Sequence, residues 1–209
     1  MTNQQQRKEE LRSKILDAAR ELFVAEGYHG TSVRKIADKI GYSVPTIYFY
    51  FKDKADLLDV LCEETFIELE NGLQQIVRTE NDAEKALRDC LRFFAKFALQ
   101  NPHHYVVTFS IGIDSSQIKN AGELSKRIAV GMKCFDSLHG AVRRFLELKS
   151  AVSEVELEQT AQILAASVDG AIKWQMEKEL MPTFIQIDDD VFIEKSIEIL
   201  IRGLQARDS

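Results

Sequence analysis

The chain has 209 residues, 45% of them hydrophobic and 29% charged, which is the balance of a globular protein. With only 10 Gly and 3 Pro, the sequence argues against long loops and many tight turns. The formal net charge is −6 at pH 7, but residues 1–56 carry 10 basic and 8 acidic side chains, a net +2, which leaves −8 for the remainder. The overall acidity therefore does not exclude nucleic acid as a partner, because binding to phosphates needs only a local basic patch.

The first predicted helix spans Glu9–Glu26, where apolar residues recur at helical spacing on one face. Gly27 is suited to end this helix, because glycine tolerates the left-handed backbone that commonly closes a helix. Residues 1–8 are polar, and we expect them to form a frayed lead.

Two short helices follow, and a tight turn joins them. Thr31 or Ser32 can cap the first of the pair, and Gly41 breaks it. Ser43 can cap the second, which covers residues 44–51. Two short helices joined by a turn that contains glycine are the pattern of a helix-turn-helix.

The later predicted helices are longer. Asp53 can cap the fourth helix, and Ser153 with Glu156 forms a capping box that opens another. The sequence therefore predicts an all-α protein with two parts, namely a three-helix head at 1–56, with its helix-turn-helix at about 32–51, and a larger helical body at 57–209.

The second helix of the pair has residues suited to reading DNA. Ile47 and Phe51 are four residues apart and can anchor it in the core of the head. The side chains expected on its outer surface are Val44, Thr46, Tyr48, Phe49 and Tyr50. Thr46 can bond a base edge or touch a thymine methyl, and tyrosines can donate to phosphates. Positive charge near the same surface comes from Arg34, Lys52 and Lys54.

The segment Thr31–Lys54, TSVRKIADKIGYSVPTIYFYFKDK, resembles the DNA-binding domain of the tetracycline-repressor (TetR) family. The spacing of the two helices, the Ile-Tyr-x-x-Phe core at 47–51 and the closing Lys-Asp-Lys carry this resemblance, which covers about residues 9–60. It implies DNA contacts by Arg34, Thr46, Tyr48, Tyr50 and Lys54, with Ser32, Val33, Val44 and Pro45 close by. Many members of the family have His where this chain has Tyr50, so a protonated contact is absent here.

Some of these residues also have a purely structural interpretation. Ser32, Ser43 and Asp53 are more typical of helix caps than of base readers. Phe49 fits packing and DNA contact equally well, and Lys52 also fits a solvated surface charge.

The body is rich in aromatic side chains, which fit either a helical core or a cavity for a small hydrophobic effector. The family resemblance implies the cavity. The candidate pocket residues are Phe94, Phe97, His104, Phe109, Phe135, His139, Asp169 and Trp174.

The last two predicted helices have apolar or small residues on two faces, so one face can pack within the chain and the other against a second copy. The resemblance likewise implies a homodimer, and a two-fold dimer would bind a palindromic DNA operator. The candidate interface residues are Ala165, Ala166, Gly170, Phe192, Ile199 and Gly203.

We therefore expect a transcriptional regulator, of the repressor type, that a small hydrophobic effector releases from double-stranded DNA. The alternative is a helical ligand-binding or scaffold protein with a vestigial head. An enzyme is a third and weaker interpretation, since no nucleophile elbow, Walker loop or dinucleotide fingerprint occurs and no catalytic residue is predicted. We expect no cofactor, no metal site and no membrane span, and the odd count of three cysteines fits the cytoplasm.

Overall fold

The computed structural model describes residues 2–111, 121–148, 150–180 and 186–206, and within these ranges all regular structure is helical. The α-helices are α1 (Asn3–Gly30), α2 (Val33–Ile40), α3 (Val44–Tyr50), α4 (Lys54–Thr79), α5 (Ala83–Gln100), α6 (Pro102–Tyr105), α7 (Ala121–Leu146), α8 (Glu154–Glu177) and α9 (Asp189–Gln205). A π-helical turn, Val106–Ile111, follows α6, and a 3-10 turn, Lys178–Leu180, follows α8. The predicted all-α class is confirmed.

Side-chain caps place the starts of several helices where the sequence predicts them. The hydroxyl of Ser32 accepts a hydrogen bond from the Lys35 amide at 3.2 Å, and Ser153 accepts one from the Glu156 amide at 3.2 Å. The Asp53 carboxylate accepts the Asp56 amide at 2.8 Å. Each bond satisfies a backbone donor that has no partner within the helix.

Two glycines supply the positive φ angles of the head. Gly41 ends α2 at φ +73°, and its amide bonds the carbonyls of Ala37 and Asp38. Gly27 has φ +70° inside the range of α1 and interrupts its helical backbone there. A residue with a Cβ adopts this left-handed region only at a cost, so both turns depend on glycine.

The N-terminal residues differ from the predicted frayed lead. Helix α1 begins at Asn3, because the Thr2 side chain accepts the Gln5 amide and the Gln5 side chain accepts the Thr2 amide, a complete capping box. The residues between this box and Glu9 are mostly Gln, Arg and Lys, which are good helix formers. These polar residues continue a helix whose later turns are packed in the core, so they can stay helical without an apolar face of their own.

The chain forms two compact units. The first comprises Met1–Phe66 and His103–Ala129, and the second comprises Ile67–Pro102 and Val130–Ser209. Helix α4 contributes its first half to one unit and its second half to the other. The boundary predicted at residue 56, between a DNA-binding domain and an effector-binding domain, stays a prediction.

The core of the first unit supports the helix-turn-helix. Apolar side chains of α1, α2, α3 and α4 bury together there, and Val107 of the π-helical turn joins them. The buried residues that hold the two short helices are Ile36, Ala37, Ile47 and Phe51. A short helix is marginal by itself, so this floor is what holds α2 and α3 in place.

The second unit packs α5, α8 and α9 against one another. The Arg92 guanidinium of α5 makes a two-pronged pair with the Glu194 carboxylate of α9, with Nη2 donating to Oε2 at 2.8 Å. Arg144 of α7 donates to the carbonyls of Val77 and Glu80 at 3.0 and 2.9 Å. Arg144 thereby satisfies carbonyls at the end of α4 that have no helical partner.

Two kinds of feature are absent from the part of the chain that the structure describes. No helix in the described ranges is long and apolar enough to cross a membrane. Within the same ranges, no group of three or more His, Cys, Asp or Glu side chains is arranged to hold a metal ion.

Candidate nucleic-acid interface

Helix α3 is held by one face and presents the other to solvent. Ile47 and Phe51 lie in the core of the first unit, as their spacing predicts. On the opposite face, Tyr48 is 53% exposed and Phe49 is 72% exposed. A short helix with a buried anchor and exposed aromatic side chains is shaped to enter a groove of roughly 12 Å, the width of the DNA major groove.

The predicted contact residues fall into two groups by exposure. The exposed group is Ser32, Arg34, Pro45, Tyr48, Phe49 and Lys52. The half-buried group is Val33, Val44, Thr46, Tyr50 and Lys54. Val33, Val44 and Tyr50 also pack against the core of the head, so only part of each side chain faces outward.

Phe49 is not a packing residue of the core. Its ring meets the edge of the Tyr50 ring with centroids 5.3 Å apart, and the Lys8 ammonium lies 5.4 Å from its centroid. Since nearly three quarters of the side chain is exposed, the core interpretation of Phe49 does not apply.

Thr46 takes part in the cap of α3. The Ser43 hydroxyl accepts the Thr46 amide at 3.4 Å, and the Ser43 and Thr46 hydroxyls lie 2.8 Å apart. This contact orients the Thr46 side chain at the N-terminal end of the helix. A preorganised side chain at this end loses little rotamer freedom on binding.

Lys54 is held by the protein itself, which the sequence does not reveal. Its ammonium donates to the backbone carbonyls of Tyr28 and Thr31 at 2.5 and 2.9 Å and lies 4.1 Å from the centroid of the Tyr28 ring. These contacts join the start of α4 to the turn before α2. A phosphate that binds Lys54 would therefore bond an ammonium that also donates to these two carbonyls.

Basic residues on α2 are partly neutralised by acids of α1. Lys35 pairs with Glu26 at 2.6 Å, and Lys39 pairs with Glu21 at 2.8 Å. The hydrogen bond from Lys39 holds the pKa of Glu21 below its usual value. Arg34, which precedes both lysines in the sequence, is exposed.

The candidate effector residues do not fall into one unit. His104 and Phe109 belong to the first unit, where Phe109 stacks on Tyr105 with centroids 5.2 Å apart. In the second unit, the rings of Phe135 and His139 lie 4.8 Å apart. The other candidates in the second unit are Phe94, Phe97, Asp169 and Trp174.

The candidate interface residues include several that a single chain leaves uncovered. Ile199 is 69% exposed, and Ala166 is exposed as well. Gly170 and Gly203 are exposed, and a Cβ built on either would meet no atom within 4 Å. Internal packing therefore does not require glycine at these two positions. The remaining two, Ala165 and Phe192, are half-buried.

The geometry described above is that of a helix-turn-helix. It comprises a capped helix, a glycine turn and a second short helix that two apolar side chains anchor, and it defines a class of DNA-binding protein. Residues 15–61 match the family model described as "Bacterial regulatory proteins, tetR family". The resemblance predicted for residues 9–60 is thereby confirmed, and in this segment the chain is similar to the DNA-binding domain of that family of transcriptional regulators.

Alignments with relatives of similar length cover most of the chain. The "HTH-type transcriptional activator FasR" of Mycolicibacterium smegmatis is 25% identical over 94% of this chain and 84% of its own length. The "Fatty acid metabolism regulator protein" of Bacillus subtilis is 22% identical over 91% of this chain and 94% of its own length. Among solved structures, FadR from Bacillus subtilis in complex with stearoyl-CoA has a TM-score of 0.74 at 21% identity, covering 92% of this chain and 98% of that one. This structural likeness shows a shared fold.

Proposed function

We propose that this regulator binds a palindromic operator as a homodimer through α3, and that a hydrophobic effector bound by the second unit releases it. The exposed face of α3, mounted on the buried side chains of Ile47 and Phe51, is the observation that carries the proposal. The proposed DNA contacts are those predicted from the sequence, with Thr46 at the bases, the tyrosines Tyr48 and Tyr50 at phosphates, and Arg34 and Lys52 adding positive charge near the phosphates. Such a protein acts in the cytoplasm, where the bacterial genome is.

DNA selection tests the interface. The full chain is used to enrich duplexes from a randomised pool, and fluorescence anisotropy measures affinity for the selected sequence. Thr46→Ala should change the base preference, and Arg34→Ala should weaken binding to all sequences and lower the salt slope by about one unit. Lys85→Ala, an exposed lysine of the second unit, is the matched control and should bind like the wild type. Failure of the wild type to enrich any sequence would overturn the proposal and leave a ligand-binding or scaffold protein.

The proposed dimer interface lies on α8 and α9. Ile163 of α8 and Ile199 of α9 are 61% and 69% exposed. Gly170 and Gly203 lie on the same two helices, and packing within one chain does not require a glycine at either position. Glycines allow two helices to approach closely, and exposed apolar side chains favour burial against a second copy. Two such helices from each copy would form a four-helix interface.

Light scattering tests this assembly. Ile199→Glu should give a monomer with much weaker operator affinity, because a monomer binds only one of the two half-sites. Ile67→Glu, at another exposed isoleucine of the second unit, should remain dimeric. A wild-type monomer at micromolar concentration would contradict the proposal.

The effector class we propose is a long-chain fatty acyl thioester. The names of the Bacillus subtilis relatives concern fatty acid metabolism and a bound stearoyl-CoA. The second unit of this chain supplies aromatic candidates for an acyl chain in Phe94, Phe97 and Phe135. His139, Asp169 and Trp174 of the same unit stay predicted members of this pocket. His104 and Phe109 lie in the first unit, and they are not part of this proposal.

Stearoyl-CoA titration tests this class. Trp174 is the only tryptophan, so its emission reports on the second unit. Binding should change this emission, raise the melting temperature and weaken operator binding by reciprocal linkage. Coenzyme A alone is the control for the headgroup. Emission that changes without any change in operator affinity would contradict the regulatory link, and tighter operator binding would contradict release.

A further inference from the structure

A groove of about 760 Å³ runs between the first turns of α1 and the outer face of α3. From α1 it is lined by Arg7, Lys8 and Lys14, and from the region of α3 by Tyr42, Phe49 and Tyr50. The α3 side of the groove is thus part of the surface proposed to contact DNA. The α1 side includes residues before Glu9, which the sequence pattern leaves outside the first predicted helix.

The α1 side of the groove is positively charged. Arg7 and Lys14 are two helical turns apart and lie on the same face, Lys8 is next to Arg7, and all three are exposed. Glu10 also lines the groove, so these four side chains carry a net charge of +2. In the part of the chain that the structure describes, no carboxylate lies within 4.0 Å of the three basic groups. Other basic side chains of the same unit do form ion pairs, among them Arg12, Arg20, Lys35 and Lys39.

Lys8 and Phe49 join the two sides of the groove. The Lys8 ammonium lies 5.4 Å from the centroid of the Phe49 ring, within the range of a cation–π contact. Phe49 is on the proposed DNA-facing surface and is largely exposed. The contact therefore orients a cation of α1 toward the surface from which α3 would approach DNA.

We propose that Arg7, Lys8 and Lys14 form a second phosphate-binding element, which grips the backbone of the same operator that α3 reads. This proposal rests on the proposed function, since it assumes that α3 contacts DNA. Arg7 and Lys14 are about 10 Å apart along the helix axis, which matches the axial rise of about three nucleotides of one strand. Phosphates are the occupants that fit, because the groove wall is cationic and continuous with the proposed interface. Phe49 acts here as a positioning residue for Lys8.

The salt dependence of operator binding tests this element. Arg7→Gln, Lys8→Gln and Lys14→Gln each keep a good helix former and remove one charge. Removing the cation that neutralises one phosphate should lower the slope of log K against log salt concentration by about 0.9. The triple variant should therefore show a slope lower by between about one and three units for each DNA-bound head. Lys85→Gln is the matched control, since it removes one exposed charge in the second unit.

Ethylation interference locates the contacts on the DNA. The wild type should be blocked by ethylation of phosphates beside the site read by α3, and the triple variant should tolerate ethylation at those phosphates. Phe49→Leu changes no charge, so a lower salt slope in this variant would support the positioning of Lys8. An unchanged slope in Phe49→Leu would overturn that role of Phe49.

Two failures are distinguishable. If the wild type selects no DNA sequence, the proposed function itself fails. If the wild type binds and Thr46→Ala alters its base preference, but the triple variant keeps the wild-type slope and interference pattern, only the α1 element is overturned. Far-ultraviolet circular dichroism of the triple variant should match the wild type, which ensures that a lower slope reflects the missing charges and not a melted helix.

Discussion

Gly72 is a position where one added methyl group should disturb the second unit. It lies in the interior of α4, and the Phe93 ring of α5 packs directly against its backbone. A Cβ built on Gly72 would overlap three carbon atoms of this ring, and even the farthest of them, Cε2, would be only 2.8 Å away. Carbon atoms in contact normally lie about 3.5–4.0 Å apart. Alanine can therefore enter only if the Phe93 ring moves.

The expected free energy change has two opposing parts. Overpacking of this kind costs about 1–3 kcal/mol. Replacing glycine by alanine in a helix interior gains about 0.5–1 kcal/mol. Gly72→Ala should therefore leave the free energy of unfolding unchanged or lower it by up to about 2.5 kcal/mol. In a Phe93→Ala background the ring is absent, so the same change should stabilise by about 0.5–1 kcal/mol.

Urea unfolding of the four proteins, followed by circular dichroism, gives the coupling energy between Gly72 and Phe93. We expect this coupling to equal the overpacking cost of about 1–3 kcal/mol. Gly140→Ala is the control: it lies inside α7, a Cβ there would meet no atom within 4 Å, and it should stabilise. If Gly72→Ala stabilised the wild type as much as the Phe93→Ala variant, the close approach of ring and backbone would be refuted.

Three further predictions concern individual side chains. Burial raises the pKa of the Cys90 and Cys134 thiols to about 12. At pH 8, alkylation of both thiols, followed by mass spectrometry, should therefore be at least about tenfold slower in the folded protein than in urea. Equal rates in the two states would contradict their burial. The hydrogen bond from Arg92 holds the pKa of Glu194 below its usual value, so the pair stabilises the fold above the ordinary glutamate pKa and stops doing so as the pH falls through the lowered one. Glu194→Gln should thus cost up to about 1 kcal/mol at pH 7 and nothing in strongly acidic solution, as urea unfolding at the two pH values can check. Lys54→Ala should lower both the melting temperature and, by about one unit, the salt slope of operator binding; a lower melting temperature with an unchanged slope would assign Lys54 to the fold alone.

Signals within a few residues predicted the local structure of the head. Caps at Ser32, Ser43 and Asp53 and the glycine turn at Gly41 are short-range chemistry, so the sequence places α2, α3 and the start of α4 correctly. The spacing of Ile47 and Phe51 likewise predicts which face of α3 is buried. The same local signals carry the resemblance to the family.

The start of α1 is the element that the apolar pattern of the sequence does not predict. Residues before Glu9 have no apolar periodicity, and the sequence interpretation therefore makes them a frayed lead. The structure extends α1 to Asn3, and its cation Lys8 meets Phe49. Helical periodicity detects burial in a core, and it does not detect a polar helix that lines an open groove.

The sequence by itself determined the helical class, the helix-turn-helix and the two side chains that anchor α3, because caps, glycine turns and apolar spacing act over one or two helical turns. Only the tertiary structure decided that Lys54 clamps the carbonyls of Tyr28 and Thr31, that the Phe93 ring rests on Gly72, and that Arg144 closes the end of α4. These contacts join residues between 21 and 67 positions apart in the sequence. Nothing in the local chemistry of such residues specifies their partner, which is chosen when the helices pack and each buried polar group or close-packed ring must find its complement.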